Sequence, residues 1–339
     1  MSLLIPSNAP LRSYKTLFAV ACLVILSVAA LLFSLSLGTI NIDWHHILRI
    51  LFKADSTMES RVIHELRMPR TVAGFLVGGM LAQAGALMQV LLRNPLAEPY
   101  VLGVSGGASV FALLAMLTGL SGAWINVWAF AGALVSIGLV FGLAHIGGSW
   151  NPMRVLLTGV VIAAGWSAVI SFILAISPAV SIQGMLFWLM GDLSYARFNG
   201  LTVSVLIISL MVSMAMARSL NLMSYGDMQA AVLGVSIGHL RTAIYLIASL
   251  LTAIAVMQAG GIGFIGLIIP HLVRLLFGSD HRLLLPLSVL LGGSILVVAD
   301  GLARTIISPQ QLPVGVLTAM IGVPLFLLLL QSTVVKQRP

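Results

Sequence analysis

Ten apolar stretches recur along the chain, each close to the length of a membrane-crossing helix and parted from the next by a short polar break. They cover 16–37, 71–92, 101–118, 124–144, 155–177, 201–217, 241–259, 262–277, 284–303 and 314–333. A helix needs about 20 apolar residues to cross the hydrocarbon layer. In lipid every backbone N–H and C=O must be paired within its own segment, and these runs exceed the length of a barrel strand, so the pattern predicts helices throughout. The expected fold is an all-α polytopic membrane protein with about ten transmembrane helices, forming a single membrane domain over 1–339. The first run follows Arg12 and Lys15 and is too long for the core of a cleaved leader, about 7–15 residues, so a retained span starting in the cytoplasm is expected. Ten crossings return the C-terminus to the same side. That makes 38–70 a periplasmic loop and 218–241 the largest cytoplasmic loop.

Composition narrows the function. Of 339 residues, 60% are apolar and 8% charged, against about 25% charged in a soluble domain. An ordinary water-soluble enzyme is excluded, and no length remains for an appended nucleotide-binding domain. The formal charge of +8 comes from 17 Lys and Arg against 9 Asp and Glu. In a membrane chain, cations flanking the spans explain this better than nucleic acid as a partner. With the topology above, Arg12, Lys15, Arg93, Arg154, Arg218, Arg241, Arg274, Arg282, Lys336 and Arg338 lie inside. Arg49, Lys53, Arg61, Arg67, Arg70, Arg197 and Arg304 lie outside. The bias favours this orientation modestly. Five of the seven outer cations sit in 38–70, so either the orientation is reversed or that loop holds positive charge for a separate reason. Cys22 is the single cysteine, so no intrachain disulfide forms.

Several motifs match without their required setting. Gly261-Ile-Gly263-Phe-Ile-Gly266 fits a dinucleotide fingerprint but opens a membrane span instead of following a strand. Gly103-Val-Ser105-Gly106-Gly107 fits a nucleophile elbow, which belongs to a strand-to-helix turn. An intramembrane serine protease pairing Ser105 with His145 or His271 is the enzymatic alternative, and one serine with a distant histidine carries little weight. The seven histidines form no metal-ligand cluster, and no P-loop is present, so ATP cannot be bound by this chain that way. An ion-coupled secondary carrier is the other alternative, but it would place acids in mid-membrane, where few are found.

Small residues at helical spacing, Gly74, Gly78 and Ala82, and again Gly138 with Gly142, suit close helix packing. Asp300 and Arg304, four apart, can pair on one helix face. Gln83, Gln89 and Gln258 are uncharged polar groups within spans, suited to interhelix bonds or a pore lining. Asn94-Pro95-Leu96-Ala97-Glu98-Pro99 and Pro270 break the apolar runs. Irregular backbone at membrane depth is tolerated where it is buried in protein or lines a cavity. Gln83, Gln89, Asn94, Pro95, Ser105 and Pro270 are therefore candidates for a translocation path or gate. Between Arg218 and Arg241, Met228, Ala231, Val232 and Val235 recur at helical spacing, which predicts a short amphipathic helix with an apolar face for a soluble partner or for the bilayer surface.

The chain resembles the FecCD-type permeases, the membrane subunits of ABC importers for iron-siderophores, haem and vitamin B12. The likeness is carried, in the family's order, by Arg67-Met-Pro69-Arg70, Gln89 with Arg93-Asn-Pro-Leu-Ala-Glu98-Pro99, and Leu102-Gly103-Val-Ser105-Gly106-Gly107-Ala108. It continues through Leu220-Asn-Leu222, Leu233-Gly234, Gly263-Phe-Ile-Gly266 to Pro270-His271-Leu-Val-Arg274, Asp280-His281-Arg282, Ala299-Asp300 with Arg304, and Leu312-Pro313-Val-Gly315. The resemblance implies a type II ABC importer permease in the bacterial inner membrane, with both termini cytoplasmic and no cofactor, metal or catalytic residue of its own. It implies a homodimer with the path along the subunit interface, two cytoplasmic ATP-binding subunits and a periplasmic substrate-binding protein. Arg67, Arg70 and Arg304 would dock acidic residues of that binding protein, which accounts for the outer cations. Leu220, Asn221, Leu222, Gly226, Asp227, Gly234 and Gly238 would belong to the segment that couples to the ATPase. Residues 178–200, with Trp188, Asp192 and Arg197, are expected near the substrate entrance.

Overall fold

The computed structural model describes residues 9–38, 42–52, 57–144, 151–194, 196 and 199–335. Lys53, His145, Arg197, Lys336 and Arg338 lie outside the described residues. The helices run in the order α1 (Ala9–Ser36), α2 (Trp44–Phe52), α3 (Met58–Arg61), α4 (Met68–Leu91), α5 (Val104–Leu117), α6 (Ala123–Ala144), α7 (Pro152–Ile176) and α8 (Ala179–Leu189). They continue as α9 (Gly200–Ala215), α10 (Ala217–Ser224), α11 (Asp227–Val232), α12 (Ile237–Ala259), α13 (Ile265–Phe277), α14 (His281–Ala303) and α15 (Val314–Val335). Each of the ten expected spans is a helix. A π-helical stretch, Val62–Arg67, fuses α3 to α4 into one run over 58–91. The stretch read as a loop at 38–70 therefore carries two short helices and the start of a long one. Ile42, Ile47, Ile50 and Ile63 of this stretch gather with Leu35 of α1 in a small apolar cluster.

Among the described residues, five helices are long and apolar enough to cross a membrane alone: the 58–91 run, α6, α7, α12 and α14. The pair α9 and α10, bent by 59°, makes a sixth. The 59° bend ends α9 at Ala215, and α10 runs from there into the stretch read as a coupling loop. α5 and α13 are shorter than their apolar runs because irregular backbone precedes each. A 3₁₀ turn over Pro99–Leu102 stops at Gly103 with φ 69°, and Gly260–Phe264 ends with Phe264 at φ 71°. Both segments sit inside the bundle, where the enclosing helices replace water as the hydrogen-bonding environment.

α4 is the axis of the bundle. In its apolar window 89% of the residues are buried, with α14, α12, α13 and α1 packed around it. Small residues allow this, because helices in lipid associate through close van der Waals contact of their backbones. Gly78 faces the carbonyl of Gly292 on α14, and Gly85 faces the carbonyl of Gly266 on α13. The second contact follows from Pro270. Proline has no N–H to donate one turn back, so the Gly266 carbonyl lacks its helical partner, and it lies against the Cα of Gly85. Gly138 and Gly142, expected to form a second close-packed face, have nothing within 4 Å of an added Cβ. Their side of α6 is open in this chain. α7 is the least enclosed span, with 11% of its window buried.

Gly85→Ala drives a methyl group into the Gly266 carbonyl. It should lower stability in detergent by about 1–3 kcal/mol, the usual result of overpacking a tight contact. Gly138→Ala, into open space, should leave the thermal midpoint unchanged. Equal midpoints for the two variants would contradict the placement of α4 against α13.

Candidate functional site

The charged and polar side chains singled out from sequence gather at the two ends of α4 and at the break beside its middle. At one end, the π-helical stretch brings Arg67 and Arg70 together with the C-terminal ends of α1 and α14. Arg70 grips Asp300 with both arms of its guanidinium, Nε to Oδ2 at 3.0 Å and Nη2 to Oδ1 at 2.7 Å. Its remaining nitrogen donates to Ser194 Oγ at 3.1 Å and to Gln311 Oε1 at 3.0 Å. Ser194 in turn donates to Asp192 at 2.7 Å. Arg304 pairs with the same Asp300 at 3.2 Å, as the four-residue spacing predicts, and also donates to Ser34 Oγ at 2.8 Å. Arg67 is buried, at 6% exposure, and donates to the carbonyl of Leu35 at 2.8 Å. Two arginines thus converge on one nearly buried carboxylate, Arg67 ties the same region to the end of α1, and segments distant in sequence are held together. Aligned bidentate pairs of this kind are among the stronger and more directional polar contacts in proteins.

At the break, polar side chains take up the orphaned backbone groups. Glu98 Oε1 accepts the Phe264 N–H at 2.8 Å, and the Tyr100 hydroxyl accepts the Ile262 N–H at 3.0 Å. The start of α13 has no cap from its own sequence, so a carboxylate from the 94–103 loop fills the role at the positive end of the helix. Ser136 donates to the Gly103 carbonyl at 2.8 Å. Nearby, the Asp192 N–H donates to Ala259 O at 2.9 Å and the Gly315 N–H to Gly191 O at 3.2 Å, binding the 189–192 turn to the ends of α12 and α15. Of the candidates for a path, Gln83 and Gln89 are engaged in holding helices together, as is Gln258. Gln83 is fully buried and bonds Ser213 at 3.1 Å and Ser209 at 3.3 Å, joining α4 to α9. Gln89 donates to Leu267 O at 3.1 Å and accepts from Arg274 at 2.9 Å, joining α4 to α13. Gln258 donates to Thr202 at 2.8 Å. Asn94 closes its own turn by accepting the Leu96 N–H at 2.9 Å, with Pro95 exposed beside it. Ser105 has no hydrogen bond to a described histidine; its carbonyl accepts from Ser109 at 2.8 Å.

At the other end of α4, α10 and α11 form a short pair that closes against the starts of α12 and α14. Leu220 is fully buried. Asn221 donates to Asp280 at 2.8 Å and accepts from the His281 backbone at 2.9 Å. Burial works against ionisation of Asp280, but the Asn221 amide, the Arg282 N–H and the nearby positive charge outweigh it and hold the carboxyl below its ordinary range. Asp227 opens α11 and is paired with both Arg93 and Arg241. Gly226 and Gly234 bracket α11 with φ of 128° and 83°, and they and Gly238 have open space around them. The expected amphipathic helix is present, one residue earlier than its apolar pattern and shorter. Ala230 faces inward, fully buried, while Met228 and Val232 are 83% and 82% exposed. Beside it lies a cavity of about 550 Å³, lined among others by Arg218, Leu222, Leu233 and His239.

The model of the FecCD transport family matches residues 23–332. The chain belongs to the FecCD transport family. It is 40% identical over 278 residues to a cobalamin import system permease of Halobacterium salinarum, covering 81% of this chain and 74% of the relative. To the iron(3+)-hydroxamate import permease FhuB of Bacillus subtilis it is 38% identical over 328 residues, covering 93% and 83%. A solved structure described as an inward-facing conformation of a metal-chelate type ABC transporter superposes with a TM-score of 0.81 at 30% identity, covering 91% of this chain and 97% of that one. FecCD members are membrane permeases, and this chain is a multi-pass membrane protein of that kind.

The sequence reading finds the arginines but not their partners. Asp300 is visible as an intrahelical partner of Arg304, yet its stronger grip comes from Arg70, 230 positions away. Glu98 and Tyr100 as caps of α13, and Arg93 as a partner of Asp227, are also missed. The available signal is the scarcity of acids: with 9 in the chain, each one inside the bundle is expected to have a specific partner. Asp300→Asn would leave the guanidiniums of Arg70 and Arg304 facing each other with no buried counter-charge. It should cost about 3–5 kcal/mol of stability, read as a fall in thermal midpoint. Asp192→Asn, whose carboxylate stands 3.8 Å from Arg70, should fall far less.

Proposed function

We propose that this chain is the membrane-spanning subunit of an ATP-powered importer for a metal chelate, an iron-siderophore complex first among the candidates. It works as a homodimer in the bacterial inner membrane, with two ATP-binding subunits on the cytoplasmic face and a substrate-binding protein on the periplasmic face. The observation that carries this reading is α11, a short helix held outside the bundle with Met228 and Val232 bared. An apolar face so exposed is suited to seating in a groove of a soluble partner. Similarity of nearly equal degree to permeases named for iron-hydroxamate and for cobalamin supports a chelate as cargo.

The orientation follows from the same helix. With α11 on the cytoplasmic side, α1 begins and α15 ends on that side, and the Arg70 end is periplasmic. The ATPase is then engaged through the segment of Leu220, Asn221, Leu222, Gly226, Asp227, Gly234 and Gly238. The binding protein docks on the face built around Arg67, Arg70 and Arg304. The side chains of Arg70 and Arg304 are 11% and 8% exposed, so an incoming acid must compete with Asp300 for a guanidinium instead of meeting a free one. Such exchange sets register and rate of association more than affinity. Cargo crosses between two copies along largely apolar walls that bind it weakly, so release is not impeded. The weakly buried α7 leaves apolar surface both for lipid and for a second copy. No bond of the cargo is made or broken by this chain.

In proteoliposomes carrying the chain, its ATPase and its binding protein, labelled iron-siderophore should accumulate only with internal or external ATP on the ATPase side. Accumulation by the chain alone, or driven by an ion gradient without ATP, would refute the reading. Arg67→Glu combined with Arg70→Glu should abolish capture of the loaded binding protein and retain basal ATP hydrolysis. Wild-type uptake by that variant would remove these arginines from docking.

A further inference from the structure

This inference rests on the importer reading above. We propose that Asp227 is the residue through which movement of the α10–α11 segment is delivered to the membrane helices, because it is held at once by Arg93 at the end of α4 and by Arg241 in the first turns of α12.

α11 has little else to hold it. It is six residues long, a single buried side chain, Ala230, faces the bundle, and glycines in the left-handed region flank it with no neighbours around them. α10 is fixed separately, through Asn221, to the start of α14. Among the described residues, the two arginines on Asp227 are therefore the polar attachment of α11 to its neighbour α12 and to α4, which lies far upstream in sequence.

The conformation of Arg93 is the second observation. α4 ends with the Arg93 N–H donating to Val90 O at 3.2 Å and the Asn94 N–H to Gln89 O at 3.1 Å. This is a Schellman closure with Arg93 at the left-handed position, φ 48°, where glycine is by far the favoured residue. An L side chain is strained there. Strain retained against a simple alternative points to a role for the side chain, and here that side chain reaches Asp227. The link extends far: α4 spans 24 residues, about 36 Å at 1.5 Å per residue, and carries Arg70 at its opposite end. A displacement of α11 is thus applied directly to the most enclosed helix of the bundle.

The test uses the full importer in proteoliposomes, measuring ATP hydrolysis with and without loaded binding protein together with cargo moved per ATP. Arg93→Gly keeps the turn, relieves its strain and removes the guanidinium; Asp227→Asn removes the charge from the other side. Arg93→Gly, outside the segment that engages the ATPase, should assemble with it and hydrolyse ATP at the basal rate. Stimulation by the binding protein and cargo moved per ATP should fall about tenfold, within the ordinary range of coupling between sites. The double variant should be no worse than either single one, because both remove the same contact. Wild-type transport per ATP in Arg93→Gly, with its turn intact, would overturn the proposal, and so would losses that simply add in the double variant. Failure of the unmodified chain to take up cargo with ATP would instead overturn the importer reading itself.

Discussion

Backbone carbonyls and amides cannot be left unpaired in lipid, and the most distinctive parts of this fold answer that constraint where the helices are broken. Pro270 frees the Gly266 carbonyl, and a glycine on α4 comes close enough to cover it. The start of α13 lacks a cap, and Glu98 reaches in from a loop more than 160 residues earlier to supply one. Tyr100 does the same for Ile262. Each repair pulls an irregular segment against α4 or its neighbours, so the breaks become points of attachment. The enclosed position of α4 is a consequence, since the repairs surround it on the α13 side and the Gly78–Gly292 contact closes it on the α14 side.

Apolar runs are enough to locate ten helices, because in a membrane the pattern of greasy length is nearly the whole secondary-structure signal. Their ends were less legible. α12 and α14 begin several residues before their apolar runs, since His239 bonds Ser236 at the start of its own helix and His281 is buried against Asn221. α5 and α13 begin later, since Gly103 and Phe264 adopt left-handed backbone that no apolar pattern reports. Spacing anticipated the Asp300–Arg304 pair but was silent on Arg70 and Asp300, whose meeting depends on how α4 and α14 pack. It anticipated a small-residue face at Gly78, where the structure has one, and at Gly138, where the chain offers no partner.

Clusters of charged side chains divide between the ends of one helix. Arg70 and its acids gather α4, α14, the turn after α8 and the segment before α15 into a single polar knot. Arg93 and Asp227 gather α4, α11 and α12 into another. Between them the polar side chains named from sequence, Gln83, Gln89 and Gln258, are occupied in joining helices to one another. A conduit for a bulky chelate is better sought on the open apolar faces than through the interior of one copy.

The glycines at either side of α11 have a mechanical meaning. A rod free at both ends and pinned at one place cannot simply be pushed along; it swings. With Gly226 and Gly234 as loose joints and a carboxylate as the pin, a thrust arriving at Met228 and Val232 is turned into torque on the pin. The protein would then read a rotation at its surface and not a translation, and the bared side chains would serve as the handle of a lever whose fulcrum is an ion pair.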